Sequence, residues 1–220
     1  MMNRLRAAQL VLLAASAGVI VVGSLRAQER APQGNEPGWT PLFDGKTLTN
    51  WQSTKFVGAG AVKVENGEII LDAGKALTGI TWTGEKPPDS NYELTLQAMR
   101  VEGSDFFAGI TFPVGDSFCS LILGGWGGEV VGLSSIDGMD ASENETSQAI
   151  KFTSGRWYTI RIRVTAEKIN AWLDERRIVD VVLKGKEIET RIEMIMSHPM
   201  GVASWRTKAA LRDIRLRRLS

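Results

Sequence analysis

The sequence predicts an all-β protein built from two packed antiparallel sheets, in the form of a sandwich or jelly roll. Residues 157–182 alternate apolar and polar side chains with a period of two, interrupted by two short polar turns, as three meandering strands do. Roughly twelve short apolar segments of this kind are separated by turn signals every eight to twelve residues. No long stretch shows helical periodicity, and the 23 glycines suit a turn-rich chain.

The meander at 157–182 has one apolar and one polar face. Tyr158 and Ile160 begin the apolar face of its first strand, whereas Arg161 and Arg163 fall on the opposite face. A strand with one apolar face needs a second layer to cover that face, and another sheet is the natural partner.

The remaining strands are predicted in chain order. Asn66-Gly67 favours a type I′ turn and therefore a hairpin over 61–71. Asp44-Gly45 predicts an edge hairpin within 38–51, whose aromatic residues close one end of the core. Continuous apolarity at 106–112 and 118–123 indicates strands covered on both faces. Further strands are predicted at 77–82, 92–98, 130–133, 192–196, 200–203 and 209–219.

The first 27 residues have the pattern of a secretory signal peptide. Arg4 and Arg6 precede a long apolar run, and Ala27 offers a small residue for cleavage. The run is nearly long enough to span a membrane, so an uncleaved anchor is the alternative. Residues 28–38 read as a flexible lead-in and 39–220 as one β-sandwich domain. The protein is therefore expected to be exported, periplasmic or extracellular, with membrane contact only if the leader is retained.

Charge and motif content exclude several functional classes. With 26 basic and 25 acidic side chains the chain lacks the basic excess of nucleic-acid binders. No P-loop, dinucleotide fingerprint or His-Glu-x-x-His motif is present. The single cysteine, Cys119, lies in an apolar run and is expected to be a buried, inert thiol. The single histidine, His198, cannot form a histidine-rich metal site alone.

The segment LGGWGGE (123–129) is the candidate ligand site. Trp126 can stack on a pyranose face and Glu129 can accept its hydroxyls, while the glycines allow close approach. Trp205 with Arg206 forms a further aromatic and basic pair assigned to substrate binding. The alternative is that Trp126 caps the sandwich and the glycines form bulges in curved strands.

The acidic loop 134–146 is the only candidate metal site. Asp137, Asp140 and Glu143 carry hard oxygen ligands that suit Ca²⁺. Their spacing matches no known calcium loop, and a simply solvated acidic loop is the alternative. No other cofactor is expected.

Three segments resemble the 3-keto-disaccharide hydrolase domain family. They are the opening LFDGKTLTNW (42–51), the meander pieces GRWYTIRIRV (155–164) and INAWLDERRIVDV (169–181), and the closing MGVASWRTKAALRDIRLRRL (200–219). The resemblance implies a concanavalin A-like, laminin-G-like jelly roll in an exported bacterial protein. It also implies an oligosaccharide or glycan partner and hydrolysis of glycosidic bonds in oxidised or ordinary oligosaccharides.

The chain departs from the family where the family carries polar residues. Apolar side chains stand at or near those positions, namely Phe107, Ala108, Pro113, Phe118, Cys119, Leu121, Ala203 and Trp205. Cleavage of a glycosidic bond needs a positioned acid or base, or a metal in its place. Three functions therefore stay open: a glycosidic-bond hydrolase, a non-catalytic carbohydrate-binding module and an envelope interaction domain.

Overall fold

The structure is a computed structural model that describes residues 38–219. The predicted leader (1–27), and the predicted lead-in (28–38) apart from Gly38, lie outside the described residues. Within the described range, no helix has the length and apolarity needed to cross a membrane.

The described chain is almost entirely β structure, with one short 3₁₀ helix at Ile192–Ser197. The strands are β1 (Thr40–Pro41), β2 (Trp51–Ser53), β3 (Val62–Glu65), β4 (Glu68–Leu71), β5 (Leu77–Trp82), β6 (Tyr92–Glu102), β7 (Ala108–Val114), β8 (Ser117–Gly125), β9 (Val130–Ser134), β10 (Gln148–Ala149), β11 (Trp157–Val164), β12 (Lys168–Leu173), β13 (Arg176–Val182), β14 (Gly201–Trp205) and β15 (Lys208–Arg218).

These strands form two antiparallel sheets, which confirms the predicted jelly-roll sandwich. Sheet A has the order β13-β12-β11-β6-β15-β4-β3, with β1 added alongside β15. Sheet B has the order β10-β9-β8-β7-β14-β5-β2. The meander β11-β12-β13 pairs as the alternation predicts. Asn66 and Gly67 have φ values of 52° and 82°, as the predicted type I′ turn requires.

The core lies between the sheets. Leu96 and Ile160 of sheet A and Phe112 and Leu121 of sheet B are buried in one continuous cluster. Strand β7 is buried along its whole length because its other face is covered too. A Cβ at Gly109, on that other face, would lie 3.4 Å from the terminal methyl of Met194 in the 3₁₀ helix. The prediction that this apolar strand is covered on both faces is confirmed.

Two local predictions are wrong. Residues 192–196 form the 3₁₀ helix instead of a strand, packing Met194 inward and leaving Ile192 80% exposed. The expected edge hairpin in 38–51 does not form, because β1 pairs with β15 of sheet A and β2 with β5 of sheet B. The segment between them crosses from one sheet to the other. Its aromatic residues Phe43 and Trp51 are nevertheless buried in the core, as expected.

The side chains of Cys119 and His198 are both packed against other parts of the domain. Cys119 is fully buried and unpaired, and burial raises the pKa of its thiol to about 12. The His198 ring stacks on Phe118 with 4.0 Å between centroids, and its Nε2 lies 2.8 Å from Thr190 Oγ1. The thiol is therefore inert near neutral pH, as the sequence predicts.

Stability is expected to fall as the solution is acidified below pH 7, with His198 contributing. Partial burial lowers the pKa of its imidazole. The unfolded chain then binds a proton at a pH where the folded protein does not. The contribution is complete above the unfolded pKa of about 6.5 and is lost as the pH falls toward the lower folded value. In thermal melts from pH 7.5 to 5, His198→Gln should lose less Tm than wild type, and equal losses would contradict the assignment.

Candidate functional site

A cavity of about 250 Å³ opens on the face of sheet B that points away from the core. Most of its wall is apolar and aromatic, and four polar side chains complete the lining. We call it the aromatic cavity, and it is lined by Leu77, Asp105, Phe106, Ile122, Trp126, Ser134, Arg191, Glu193, Met194 and Trp205.

Phe106 and Trp205 form one wall of the aromatic cavity. Trp205 ends β14, and its backbone N–H donates to the carbonyl of Phe106 at 3.0 Å. The two rings are 6.4 Å apart and tilted by 36°. Both belong to a small apolar cluster with Leu77 and Met194 outside the main core. This wall therefore rests on sheet B and on the 3₁₀ helix.

Trp126 stands in the turn between β8 and β9 with a left-handed backbone, at φ 49°. A left-handed conformation is uncommon for a bulky residue and is held only by its surroundings. The flanking glycines share the positive φ, at 89° for Gly127 and 119° for Gly128. Trp126 remains 46% exposed. The alternative that Trp126 is a buried cap of the sandwich is therefore wrong, whereas the glycine bulge that it included agrees with the register shift between Leu123 and Gly125.

Two side chains hold the Trp126 turn in place. Arg100 donates from Nη2 to the carbonyl of Gly128 at 2.9 Å, and Asp105 Oδ2 accepts from the N–H of Gly127 at 3.4 Å. Arg100 is only 6% exposed and lies over the Phe107 ring at 5.4 Å. A side chain added at Gly124 would collide with the Arg100 guanidinium, and one added at Gly128 would lie 2.7 Å from the carbonyl oxygen of Ser104. Glycine is needed at both positions because a side chain or backbone approaches the turn closely there.

The polar rim of the cavity has three charged residues, of which Arg191 and Glu193 lie at the start of the 3₁₀ helix. Arg191 donates to Glu193 at 3.1 and 3.3 Å and to Asp140 Oδ2 at 2.6 Å. The hydrogen bonds from Arg191 lower the pKa of Glu193. Glu193 is therefore ionised at neutral pH and is suited to accept hydrogen bonds, whereas its low proton affinity makes it a poor general base.

Asp105 is the second carboxylate of the aromatic cavity. Its Oδ1 accepts from the N–H of Phe106 at 2.7 Å, and none of the ion pairs found in residues 38–219 involves it. The cavity thus combines three aromatic rings with two carboxylates and one guanidinium. Such a set can stack on an apolar ring face, accept hydroxyl hydrogens and donate to oxygen.

The structure brings together two of the four residues that the sequence assigned to substrate binding. Trp126 and Trp205 both line the aromatic cavity. Glu129 is exposed outside the cavity lining. Arg206 is also outside the lining, 5.7 Å from the Trp205 ring, where it donates to the carbonyl of Lys75 at 3.0 Å. The rim charges are instead Asp105, Arg191 and Glu193.

The structure does not bring Asp137, Asp140 and Glu143 together as a cation site. Asp137 accepts from the N–H of Glu187 and pairs with Lys186. Asp140 accepts from Ser142 and Arg191. No group of three or more His, Cys, Asp or Glu in residues 38–219 is arranged to hold a metal ion.

Sequence reasoning missed Asp105, Phe106, Arg191 and Glu193 as cavity residues. Asp105 and Phe106 lie in the turn before β7. The apolar run at 106–112 was interpreted as a buried strand and not as part of a site. Arg191 and Glu193 were obscured because 192–196 reads as a strand. The available signal was the charged pair Arg191 and Glu193 on either side of Ile192, because a strand covered on both faces does not carry charged side chains on one of them.

Comparisons with known proteins place the chain in a carbohydrate-related family. The sequence profile described as a 3-keto-alpha-glucoside-1,2-lyase-like domain matches residues 38–217. A search of curated proteins found no match.

Solved structures share the fold at low sequence identity. A Parabacteroides distasonis protein with a provisional glycosyl hydrolase assignment is 15% identical, with 83% of this chain and 94% of that chain covered and a TM-score of 0.53. The Crh5 transglycosylase in complex with NAG is 12% identical, with 83% and 85% covered and a TM-score of 0.58. The carbohydrate recognition domain of Emp46p is 14% identical, with 79% and 90% covered and a TM-score of 0.52.

The family profile spans nearly all of the described chain, and both the motifs at its two ends and the jelly-roll sandwich agree with it. The chain belongs to the family of 3-keto-alpha-glucoside-1,2-lyase-like domains.

Proposed function

We propose that the protein is an exported carbohydrate-binding domain whose aromatic cavity holds one pyranose unit of an oligosaccharide. The observation that carries the proposal is the exposed Trp126 ring in the same cavity as the Phe106–Trp205 wall. An aromatic face packs well against the C–H face of a pyranose, and exposure leaves the Trp126 ring available for this contact.

The rim supplies the polar part of such recognition. Asp105 and Glu193 can accept hydrogen bonds from sugar hydroxyls, and Arg191 can donate to a ring, hydroxyl or ketone oxygen. Concave sites that are mostly apolar, with a few placed polar groups, are the usual form of small-molecule pockets. A volume of about 250 Å³ suits a single sugar ring better than an extended chain.

The comparisons support the carbohydrate class of the ligand. The family description names a 3-keto-glucoside, and two structural neighbours are a transglycosylase complexed with NAG and a carbohydrate recognition domain. Export is supported by the signal-peptide pattern of residues 1–27. The family description favours an oxidised glucoside among the sugars to be tested.

Asp105 favours a second candidate, in which the cavity also cleaves a 3-keto-glucoside by elimination. The ketone acidifies the hydrogen on C2, so a carboxylate base can remove that proton. The C1–O glycosidic bond then breaks, a C1–C2 double bond forms and the released oxygen takes up a proton. Asp105 is the cavity carboxylate without an ion pair in residues 38–219, so it is the candidate base.

One titration separates the two candidates. Wild type would be titrated with glucosides, disaccharides and their 3-keto forms, following tryptophan fluorescence and product release together. Saturable fluorescence change without product supports binding alone, whereas product formation that Asp105→Asn abolishes supports elimination. A linear polyol of similar size is the control ligand. No saturable response to any sugar in the panel would contradict carbohydrate binding in this cavity.

A further inference from the structure

The outer face of sheet A carries a cluster of arginine side chains. It lies on the opposite side of the sandwich from the aromatic cavity. Strands β11 and β15 flank β6 and project arginines to this side, away from the core residues on the same strands. We call it the arginine face, and it comprises Arg161, Arg163, Arg212, Arg215 and Arg217.

Strand register arranges four of these arginines in two cross-strand rows. Arg163 and Arg217 both lie opposite Glu93, while Arg161 and Arg215 both lie opposite Thr95. Neighbouring strands are about 4.8 Å apart, so the two arginine backbones of a row are about 10 Å apart. Residues two apart on a strand put the rows about 7 Å from each other.

The centre of the arginine face has more positive than negative charge, because its four arginines are paired with two carboxylates, Glu93 and Asp213, and Asp213 lies 3.2 Å from Arg215. Glu93 is fully buried, and its carboxylate lies 2.7 Å from Arg163, 3.4 Å from Arg161 and 2.5 Å from Arg217. One carboxylate therefore serves three guanidinium groups. Their side chains remain 31–37% exposed, so the surplus charge faces solvent.

Tryptophans hold the guanidinium groups in fixed positions. Arg161 stacks over Trp172 at 4.0 Å, and Arg217 lies over the Trp39 ring at 4.6 Å. A stacked guanidinium has already lost much of its freedom, so it loses less on binding an anion. Bidentate pairing with a carboxylate or sulfate is the contact that such a planar group makes best.

We propose that the arginine face is a second binding surface, which takes an anionic polysaccharide bearing carboxylate or sulfate groups. Its two rows can contact several anionic groups of one chain laid across the sheet. An anionic membrane is less favoured, because the exposed apolar residues that sheet A offers, Val101 and Val182, lie near strand ends and away from both rows. The inference does not depend on the sugar proposed for the aromatic cavity.

The test is binding of the wild-type protein to polygalacturonate and to neutral dextran by calorimetry. We expect the protein to bind polygalacturonate and not to bind dextran. Raising the salt from about 10 to about 150 mM shortens the screening length from about 30 to about 8 Å, and we expect affinity to fall about tenfold. Arg161→Gln should weaken binding about three- to fivefold, the range for one exposed charge contact. It leaves Glu93 with its two shorter partners and so should preserve the fold.

Two controls make the result specific. Arg176→Gln removes the same charge from an exposed arginine whose guanidinium donates instead to Gln148 of sheet B, and it should bind like wild type. Trp126→Ala, in the aromatic cavity, should also bind polygalacturonate normally. Failure of wild type to bind polygalacturonate at low salt would overturn the proposal, as would equal losses in Arg161→Gln and Arg176→Gln. Binding to phosphatidylglycerol vesicles without binding to polygalacturonate would assign the face to a membrane and also overturn it.

Discussion

Truncation of Phe107 to alanine is expected to lower the free energy of unfolding by about 3–5 kcal/mol, the usual cost for a buried phenylalanine. Phe107 is fully buried, with ring centroids 5.0 Å from Phe152 and 5.9 Å from Tyr158. Its ring also lies beneath the Arg100 guanidinium, which has no carboxylate partner among the ion pairs of residues 38–219. The loss would remove both packing and a cation–π contact. Chemical denaturation measures it directly.

The neighbouring Phe106 is the matched control for this experiment. Both phenylalanines lie in the turn before β7, but the Phe106 ring stands in the wall of the aromatic cavity and is only partly buried. Phe106→Ala should therefore cost less stability and should instead weaken sugar binding. If Phe107→Ala unfolded no more easily than Phe106→Ala, the assignment of Phe107 to the core and of Phe106 to the cavity wall would be wrong.

Replacement of Glu93 by glutamine is expected to destabilise the domain by about 2–4 kcal/mol. Removing one member of a buried charge cluster leaves the other members uncompensated, which typically costs about 3–5 kcal/mol. We expect a smaller value because the three arginines remain partly exposed and solvent screens their repulsion. The glutamine keeps the shape of the side chain, so the change isolates the charge.

Glu102→Gln is the control for Glu93, because it removes the same charge from an exposed residue at the end of the same strand. It should shift the unfolding midpoint by little. Higher salt should recover part of the stability of Glu93→Gln by screening the arginines from one another. A midpoint for Glu93→Gln equal to that of wild type would mean that the three arginines do not depend on Glu93.

The sheets were predictable where local pattern determines structure. The period of two in β11 assigned Ile160 and Arg161 to opposite faces, and Asn66-Gly67 fixed a hairpin turn. Residues 192–196, five of the six in the 3₁₀ helix, were mistaken for a strand because a short apolar run has no decisive period. Within residues 38–219 no strand pairs with this segment, and its buried residues are Met194 and Ser197.

The site and the arginine face depended on long-range packing that a sequence pattern does not contain. Asp105 and Glu193 are far apart in the chain, yet both line one cavity. Glu93 stands on the polar face of its strand and would be expected to be solvated. It is buried because β11 and β15 place arginines on both sides of it, a neighbourhood set by strand order.

The most direct test of the account is to measure sugar affinity and melting temperature together for Trp126→Ala. Trp126 is half exposed, so its loss should leave the melting temperature close to that of wild type. Binding of the best sugar from the panel should weaken by about 1–3 kcal/mol, the range for losing a large aromatic contact in a pocket. Trp172→Ala, on the outer face of sheet A, is the control and should bind the sugar normally. Unchanged sugar affinity in Trp126→Ala, with or without a fall in melting temperature, would contradict sugar binding in the aromatic cavity.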